Sequence, residues 1–347
     1  MNRQAVKCLA LVQPRVGIGD MVWHLPHIRA LARAFGGRVT LVARPRSQAG
    51  QLVGPEDGIS DIFWVQRDQW TPHGRHQGLR GLVRLITDLR ERRFDAAVLL
   101  TRSRVLTLAA AAAGIPCRWG YGLRAQRLLL NQLPYLPETA RKLHPYDQAT
   151  AWLAAAGIAL AEAEPRLHVS DEALAAARAR LEPGCTAPVV LGIASSDTWK
   201  QWPTLSFADL AARLLDAGWP HLVLIGGAAE RAVADAILQH LGTRAARVTP
   251  VLGWHLREVA ALLREAAFYV GNDTAALNIA AAVGTRAYGL FGGTPVLRHS
   301  PNIVAVVPPG GPDRDTGMAR ISVASVVDTI AGDRGAIGPQ LGVRAYH

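Results

Sequence analysis

Short apolar runs alternate with helix-like stretches along nearly the whole chain, and this restricts the fold more than any other feature. Candidate strands lie at residues 6–12, 38–43, 59–65 and 94–100, with helical stretches between them. Strands that are apolar throughout and joined through helices belong to parallel sheets covered on both faces. Residues 148–157 read as a helix, and a Glu- and Pro-containing link, AEAEPRLHV, follows. A second series then places strands at 188–194, 221–225, 247–251, 267–270, 286–291 and 303–307. Two Rossmann-like α/β domains are expected, 1–165 and 166–347, with the boundary in the link. A length of 347 residues agrees, being too long for one compact core. Residues 323–331 read as a closing helix, and the Gly-rich tail as poorly ordered.

Composition narrows the functional classes. Half the residues are hydrophobic, so both domains can bury a core. The longest apolar runs, such as 108–113, are short and Ala-rich, far below the roughly 20 residues of a membrane span. The N-terminal MNRQAVKCLALVQPR reads as a first strand rather than a signal peptide, which places the protein in the cytoplasm. Cys8, Cys117 and Cys185 are scattered and odd in number, so reduced thiols are expected and neither a metal site nor a cofactor. The net charge of +11 is unevenly placed, with 22 Lys+Arg against 12 Asp+Glu in residues 1–165 and 16 against 15 in the rest. Such an excess attracts anions. No nucleic-acid module, long Lys/Arg block or aromatic stacking signature accompanies it, so an acidic acceptor fits better than a nucleic acid.

Three strand ends of the second half carry candidate chemistry. In AFYVGNDTAALNIAAA an apolar strand stops at Gly-Asn-Asp-Thr and a helix starts, with Asp273 or Thr274 as its cap. The first-turn N–H groups and the positive helix end then face the ligand position above the strand ends. Upstream, VVLGIAS leads into SDTWKQWP, which sets Ser195, Ser196 and Lys200 in a loop, the lysine between two tryptophans. An ammonium there suits a diphosphate, with the serine hydroxyls as further donors. HLVLIGG ends in Gly226 and Gly227, which admit close backbone approach, and Glu230 could accept from a ribose hydroxyl or simply sit at a helix start.

In the first half, QPRVGIGDMVWHLPHIRALARAF places Gly17 and Gly19 in a flexible loop before an amphipathic helix, with Asp20 at the helix start. A dinucleotide fingerprint needs a third glycine where Val22 stands, so a NAD-dependent oxidoreductase is set aside. Asp20 is either a helix cap or a carboxylate at a strand's carboxyl end, able to serve as general base. His24 and His27 follow within two turns.

Taken together, IGDMVWHLPHIRAL, FDAAVLL with AAGIPCRWGYG, WKQWP, LIGGAAE and VGNDTAALNIAAAVGTRAYGLFGGTP resemble the ADP-heptose:lipopolysaccharide heptosyltransferases of glycosyltransferase family 9, over most of the chain. The resemblance implies a GT-B architecture, two Rossmann-like domains with parallel sheets facing a cleft. It implies inverting, metal-independent transfer of heptose from ADP-heptose to the lipopolysaccharide inner core, acceptor in the first domain and donor in the second. Asp20 matches the general base, with Gly19 and His24 beside it on the acceptor side. Lys200 matches the lysine on the donor phosphates, and Asp273 and Thr274 the Asp-Thr pair at the donor site. Ser195, Ser196 and Glu230 are weaker matches by position, and Asn272, Gly226 and Gly227 are expected donor contacts beside them. Two further donor-side positions depart from the pattern: Ala275 replaces glycine and Asn278 replaces histidine. Asparagine donates a hydrogen bond but carries no proton or charge, so a non-catalytic nucleotide-sugar or glycan-binding member is the alternative. A lipid-linked acceptor would bring the protein into peripheral contact with the inner membrane.

Overall fold

The computed structural model describes residues 5–68, 73–181 and 185–333. The chain divides into two units, Met1–Pro165 and Arg166–His347.

Unit 1 is built on strands β1 (Cys8–Val12), β2 (Arg38–Ala43), β3 (Asp61–Trp64), β4 (Ala96–Leu99) and β5 (Cys117–Gly120). They form a parallel sheet in the order β3-β2-β1-β4-β5. Helices α1 (Ile18–Phe35), α2 (Gly78–Glu91), α3 (Arg104–Ala112) and α4 (Pro145–Ala155) connect and cover it. The strands are apolar on both faces, with Leu9, Leu11, Val39, Leu41 and Val98 fully buried, as parallel strands between helix layers require. Gly36 ends α1 in the left-handed conformation, its N–H bonded to Ala32 O.

Unit 2 adds α5 (Asp171–Arg180), β6 (Val189–Gly192), α6 (Thr204–Asp216), β7 (Leu222–Gly226), α7 (Arg231–Leu241), β8 (Val248–Leu252), α8 (Leu256–Glu265), β9 (Phe268–Asn272), α9 (Ala275–Ala282), β10 (Ala287–Leu290), β11 (Ile303–Val306), α10 (Gly317–Arg320) and α11 (Val323–Gly332). Its six parallel strands run β11-β10-β9-β6-β7-β8. Strand order therefore reverses between β1 and β4 in unit 1, and between β6 and β9 in unit 2. In an open parallel sheet these carboxyl-end crevices are the ligand positions.

The α/β class and the doubly wound sheets are those expected, and every expected strand is present within about two residues. Two elements escaped the pattern. Strand β5 is a four-residue edge whose Arg118 donates to Leu129 O and Ile115 O, so it lacks the apolar run that marks a central strand. Helix α5 buries only Ala177 and is tied to α8 by Arg178–Glu265 and Arg180–Glu258 pairs rather than by an apolar stripe. The Gly-rich tail at 334–347 lies outside the described residues.

Candidate functional site

At the strand-order reversal of unit 2, β6 and β9 lie side by side with Gly192 opposite Gly271. Both glycines are forced by packing. A Cβ on Gly192 would stand 1.9 Å, and one on Gly271 2.3 Å, from the hydroxyl of fully buried Tyr269. The segment after β6 carries Trp199 and Lys200 in a one-turn 3-10 helix, Thr198–Lys200.

Asn272 fixes that segment to the end of β9. Its Oδ1 accepts from Trp202 N (3.0 Å), and its Nδ2 donates to Ala194 O (3.0 Å). Trp202 is fully buried and donates through Nε1 to Ile321 O. Asn272 was expected among the donor contacts; fully buried and bonded at both ends of its amide, it instead positions the lysine loop.

Lys200 Nζ lies 3.8 Å from Asp273 Oδ2, which also accepts from Thr294 Oγ1 at 2.8 Å. Burial raises the Asp273 carboxyl pKa, against the opposing pull of the Thr294 hydrogen bond and the Lys200 charge. Lys200 Nζ stands 5.1 Å from the centre of the Trp199 ring, and the Arg314 guanidinium 4.7 Å from the same ring. Two cations thus share one indole, which stands against Gly293 with no room for a Cβ there.

Helix α9 starts beyond Asp273, with Thr274 at the N-cap position. Neither side chain acts as the expected cap: Thr274 makes no side-chain capping bond and Asp273 is engaged with Thr294 and Lys200. The first-turn N–H groups of α9 thus receive no cap from Thr274. Ala275 opens the helix. Asn278, expected among the donor contacts, is buried, and its Nδ2 donates to Thr274 O at 2.9 Å, which braces the first turn of α9.

The remaining donor-side residues lie on their expected strand ends. Ser195 Oγ donates to Asp197 O and Ser196 Oγ to Asp197 Oδ2, so both hydroxyls are turned into their own loop. Gly226 ends β7, and Glu230 Oε2 accepts from Gly227 N at 2.7 Å. That is the helix-start role weighed for Glu230 from the sequence.

In unit 1, α1 begins at Ile18, so Gly19 lies inside its first turn rather than in the expected flexible loop. Gly17 holds the N-cap position, and a Cβ there would come within 2.8 Å of Asp20 Oδ2. Asp20 is no cap. From the first turn its Oδ1 accepts from Arg15 Nε at 2.6 Å. His24, expected to touch an acceptor, is only 1% exposed and its Nδ1 pairs with Asp20 O at 2.7 Å. It braces the turn that carries Asp20. Burial lowers the pKa of His24 to about 4 and that of His27 to about 3.

A cavity of about 250 Å³ at the carboxyl ends of β4 and β5 is lined by Arg102, Arg104, Leu123, Arg124 and Arg141. The basic excess of unit 1 was legible as a sum, but not this focus, which three separate segments build. Burial raises the pKa of fully buried Tyr121, and the charges of Arg15 and Arg102 both oppose that rise. Arg15 and Asp20 follow β1, and the arginine cavity follows β4 and β5, so both stand at the carboxyl end of the parallel sheet. Arg314 and Thr294 were also missed: Arg314 reaches the unit 2 site from a loop with no motif of its own, and Thr294, though within the FGGTP landmark, was not singled out. Among the described residues, no three His, Cys, Asp or Glu side chains gather as a metal-holding group.

Both units are thus doubly wound parallel sheets, with a lysine and a helix start at the reversal of unit 2 and an arginine-paired carboxylate after the first strand of unit 1. The family model of glycosyltransferase family 9 (heptosyltransferase) matches residues 82–306, and the chain belongs to that family. It is thus a glycosyltransferase of the heptosyltransferase type. It is 26% identical over 235 residues to lipopolysaccharide heptosyltransferase 2 of Escherichia coli (strain K12), covering 63% of this chain and 67% of the relative. Among solved structures, the family 9 glycosyltransferase of Veillonella parvula DSM 2008 superposes with a TM-score of 0.76 at 17% identity, over 95% of this chain and 97% of that one. E. coli heptosyltransferase WaaC with ADP-2-deoxy-2-fluoro heptose gives 0.67 at 16% identity, over 93% and 98%.

Proposed function

We propose that this protein is an inverting, metal-independent heptosyltransferase that moves heptose from ADP-heptose to an anionic lipopolysaccharide-core acceptor, with unit 2 holding the donor and unit 1 the acceptor. The observation that carries the reading is the meeting of Lys200, Asp273 and the start of α9 at the strand-order reversal of unit 2. A relative of the same fold has been solved with an ADP-heptose analogue, which supports the choice of donor.

The reaction follows from charge. An acceptor hydroxyl oxygen attacks the anomeric carbon from the face opposite the diphosphate. The bond from that carbon to the phosphate oxygen breaks as the glycosidic bond forms, and ADP leaves with the electron pair. The hydroxyl proton passes to the Asp20 carboxylate. Negative charge grows on the departing diphosphate, where the Lys200 ammonium and the N–H groups of α9 stabilise it. Arg314, 4.7 Å from the centre of the same Trp199 ring, adds a second cation to that end.

A carboxylate pointed at a diphosphate would repel it, so Asp273 acts through Lys200, as a positioning residue. The second oxygen of Glu230 and the backbone of Gly226 and Gly227 serve the nucleoside side. In unit 1, the arginine cavity takes the acidic groups of the acceptor, whose lipid end brings the protein to the cytoplasmic face of the inner membrane.

A ligand that binds only the folded state raises the melting temperature, by RT ln(1 + [L]/Kd) in free energy. Thermal stabilisation across a panel of nucleotide sugars tests the reading. ADP-heptose should give the largest shift, and silence with every donor would overturn it.

A further inference from the structure

We infer that the outer face of α2, built by Leu79 and Val83 with Arg80 and Arg84 beside them, is a docking surface for an anionic lipid bilayer. The inward face of α2 is accounted for: Leu85 and Leu89 are buried in the core of unit 1, with Leu82 and Ile86 packed against it. That leaves Leu79 and Val83, one helical turn apart, 85% and 63% exposed. Among the described residues Leu79 and Leu128 are the two most exposed large apolar side chains. Arg80 and Arg84 are exposed next to them, and positions 79, 80, 83, 84 and 87 include no Asp or Glu. The acidic residue of the following turn, Asp88, is already engaged by Arg75 and His76.

Interspersed leucine or valine and arginine on one helix face suits the headgroup boundary, where apolar side chains enter the acyl edge and cations meet lipid phosphates. The position of the face agrees. Helix α2 leads into β4, so its first half stands at the carboxyl end of the sheet. The bonds Gln66 N to His76 Nδ1 and Arg67 Nη1 to His76 O and Gly78 O tie it to the segment just after β3. The arginine cavity lies at that same end, after β4 and β5. A membrane seated on α2 would therefore present a lipid-linked acid to the cavity. The inference rests on the proposed function for its choice of occupant, since an acidic protein segment would need neither apolar side chain inserted.

The test is co-sedimentation with vesicles of phosphatidylcholine mixed with phosphatidylglycerol, compared with phosphatidylcholine alone. The wild-type chain should bind the anionic vesicles more tightly, and less so as salt rises. Leu79→Ser with Val83→Ser should weaken binding by on the order of ten-fold or more, and Arg80→Gln or Arg84→Gln by about five-fold each. All four side chains are exposed, so melting temperature and stabilisation by ADP-heptose should not change. Wild-type protein that ignores anionic vesicles, or a serine double variant that binds them equally well, would overturn the inference. If vesicle binding depends on α2 but no nucleotide sugar stabilises the chain, the docking face stands and the donor assignment falls.

Discussion

The turn after β1 and the turn after β9 are the same device, a strand ending at an order reversal and handing over to a helix with an aspartate in the turn. They treat that aspartate differently. Asp20 lies inside the first turn of α1, bonded to Arg15 at 2.6 Å. Asp273 lies before α9, its pKa raised by burial, bonded to Thr294 and 3.8 Å from Lys200. A carboxylate that must take a proton needs an open side, whereas one that must aim a lysine needs to be enclosed. Under the proposed function, aspartates at two similar strand-to-helix turns would take opposite work from their neighbours, and sequence position alone does not assign it.

Replacements that exchange or remove these neighbours should break the symmetry in a fixed order. The largest effect is expected for Asp20→Asn: transfer should slow by roughly 100- to 10,000-fold, as loss of a general base does, while single-turnover rates scale with kcat. Lys200→Ala should follow, with about 100- to 1,000-fold slower transfer, visible in both kcat and donor affinity. Next comes acid. Folded His24 and His27 stay neutral down to about 4 and about 3, whereas the unfolded chain takes up those protons near pH 6.5. Between pH 6.5 and 4 the unfolded state binds more protons, so stability should fall with pH, by up to about 1.4 kcal/mol per pH unit for each histidine. Denaturant melts at several pH values read this slope, and His27→Gln should reduce it. The smallest effect is expected for Asp273→Asn, which keeps a partner for Thr294 but frees Lys200. Donor affinity should weaken by about five-fold, the worth of a charge-assisted contact, with the rate at saturating donor little changed.

Much of this was legible in the sequence, because parallel strands announce themselves as apolar runs and their carboxyl ends as Gly, Asp, Ser and Thr. Asp20, Lys200 and Asp273 could be named because each lies in such a turn. Asn272 was misjudged because its partners, Trp202 and Ala194, are 70 and 78 residues away in sequence, where no local pattern reaches. Asn278 was read as a changed donor contact, and its bond to Thr274 O was not legible from the sequence. The arginine cavity and Arg314 depend on loops brought together only by the sheets. Strand β5 was hidden because an edge strand with a charged residue has no apolar signature.

The central claim is that the turn of unit 2 holds the donor phosphates while the turn of unit 1 handles the proton. Calorimetric titration of ADP-heptose into the Asp20→Asn and Lys200→Ala proteins tests it most directly. The account predicts wild-type donor affinity for Asp20→Asn and, for the loss of a charged phosphate contact, affinity weaker by about ten-fold or more for Lys200→Ala. Unchanged affinity in Lys200→Ala, or a comparable loss in Asp20→Asn, would contradict it.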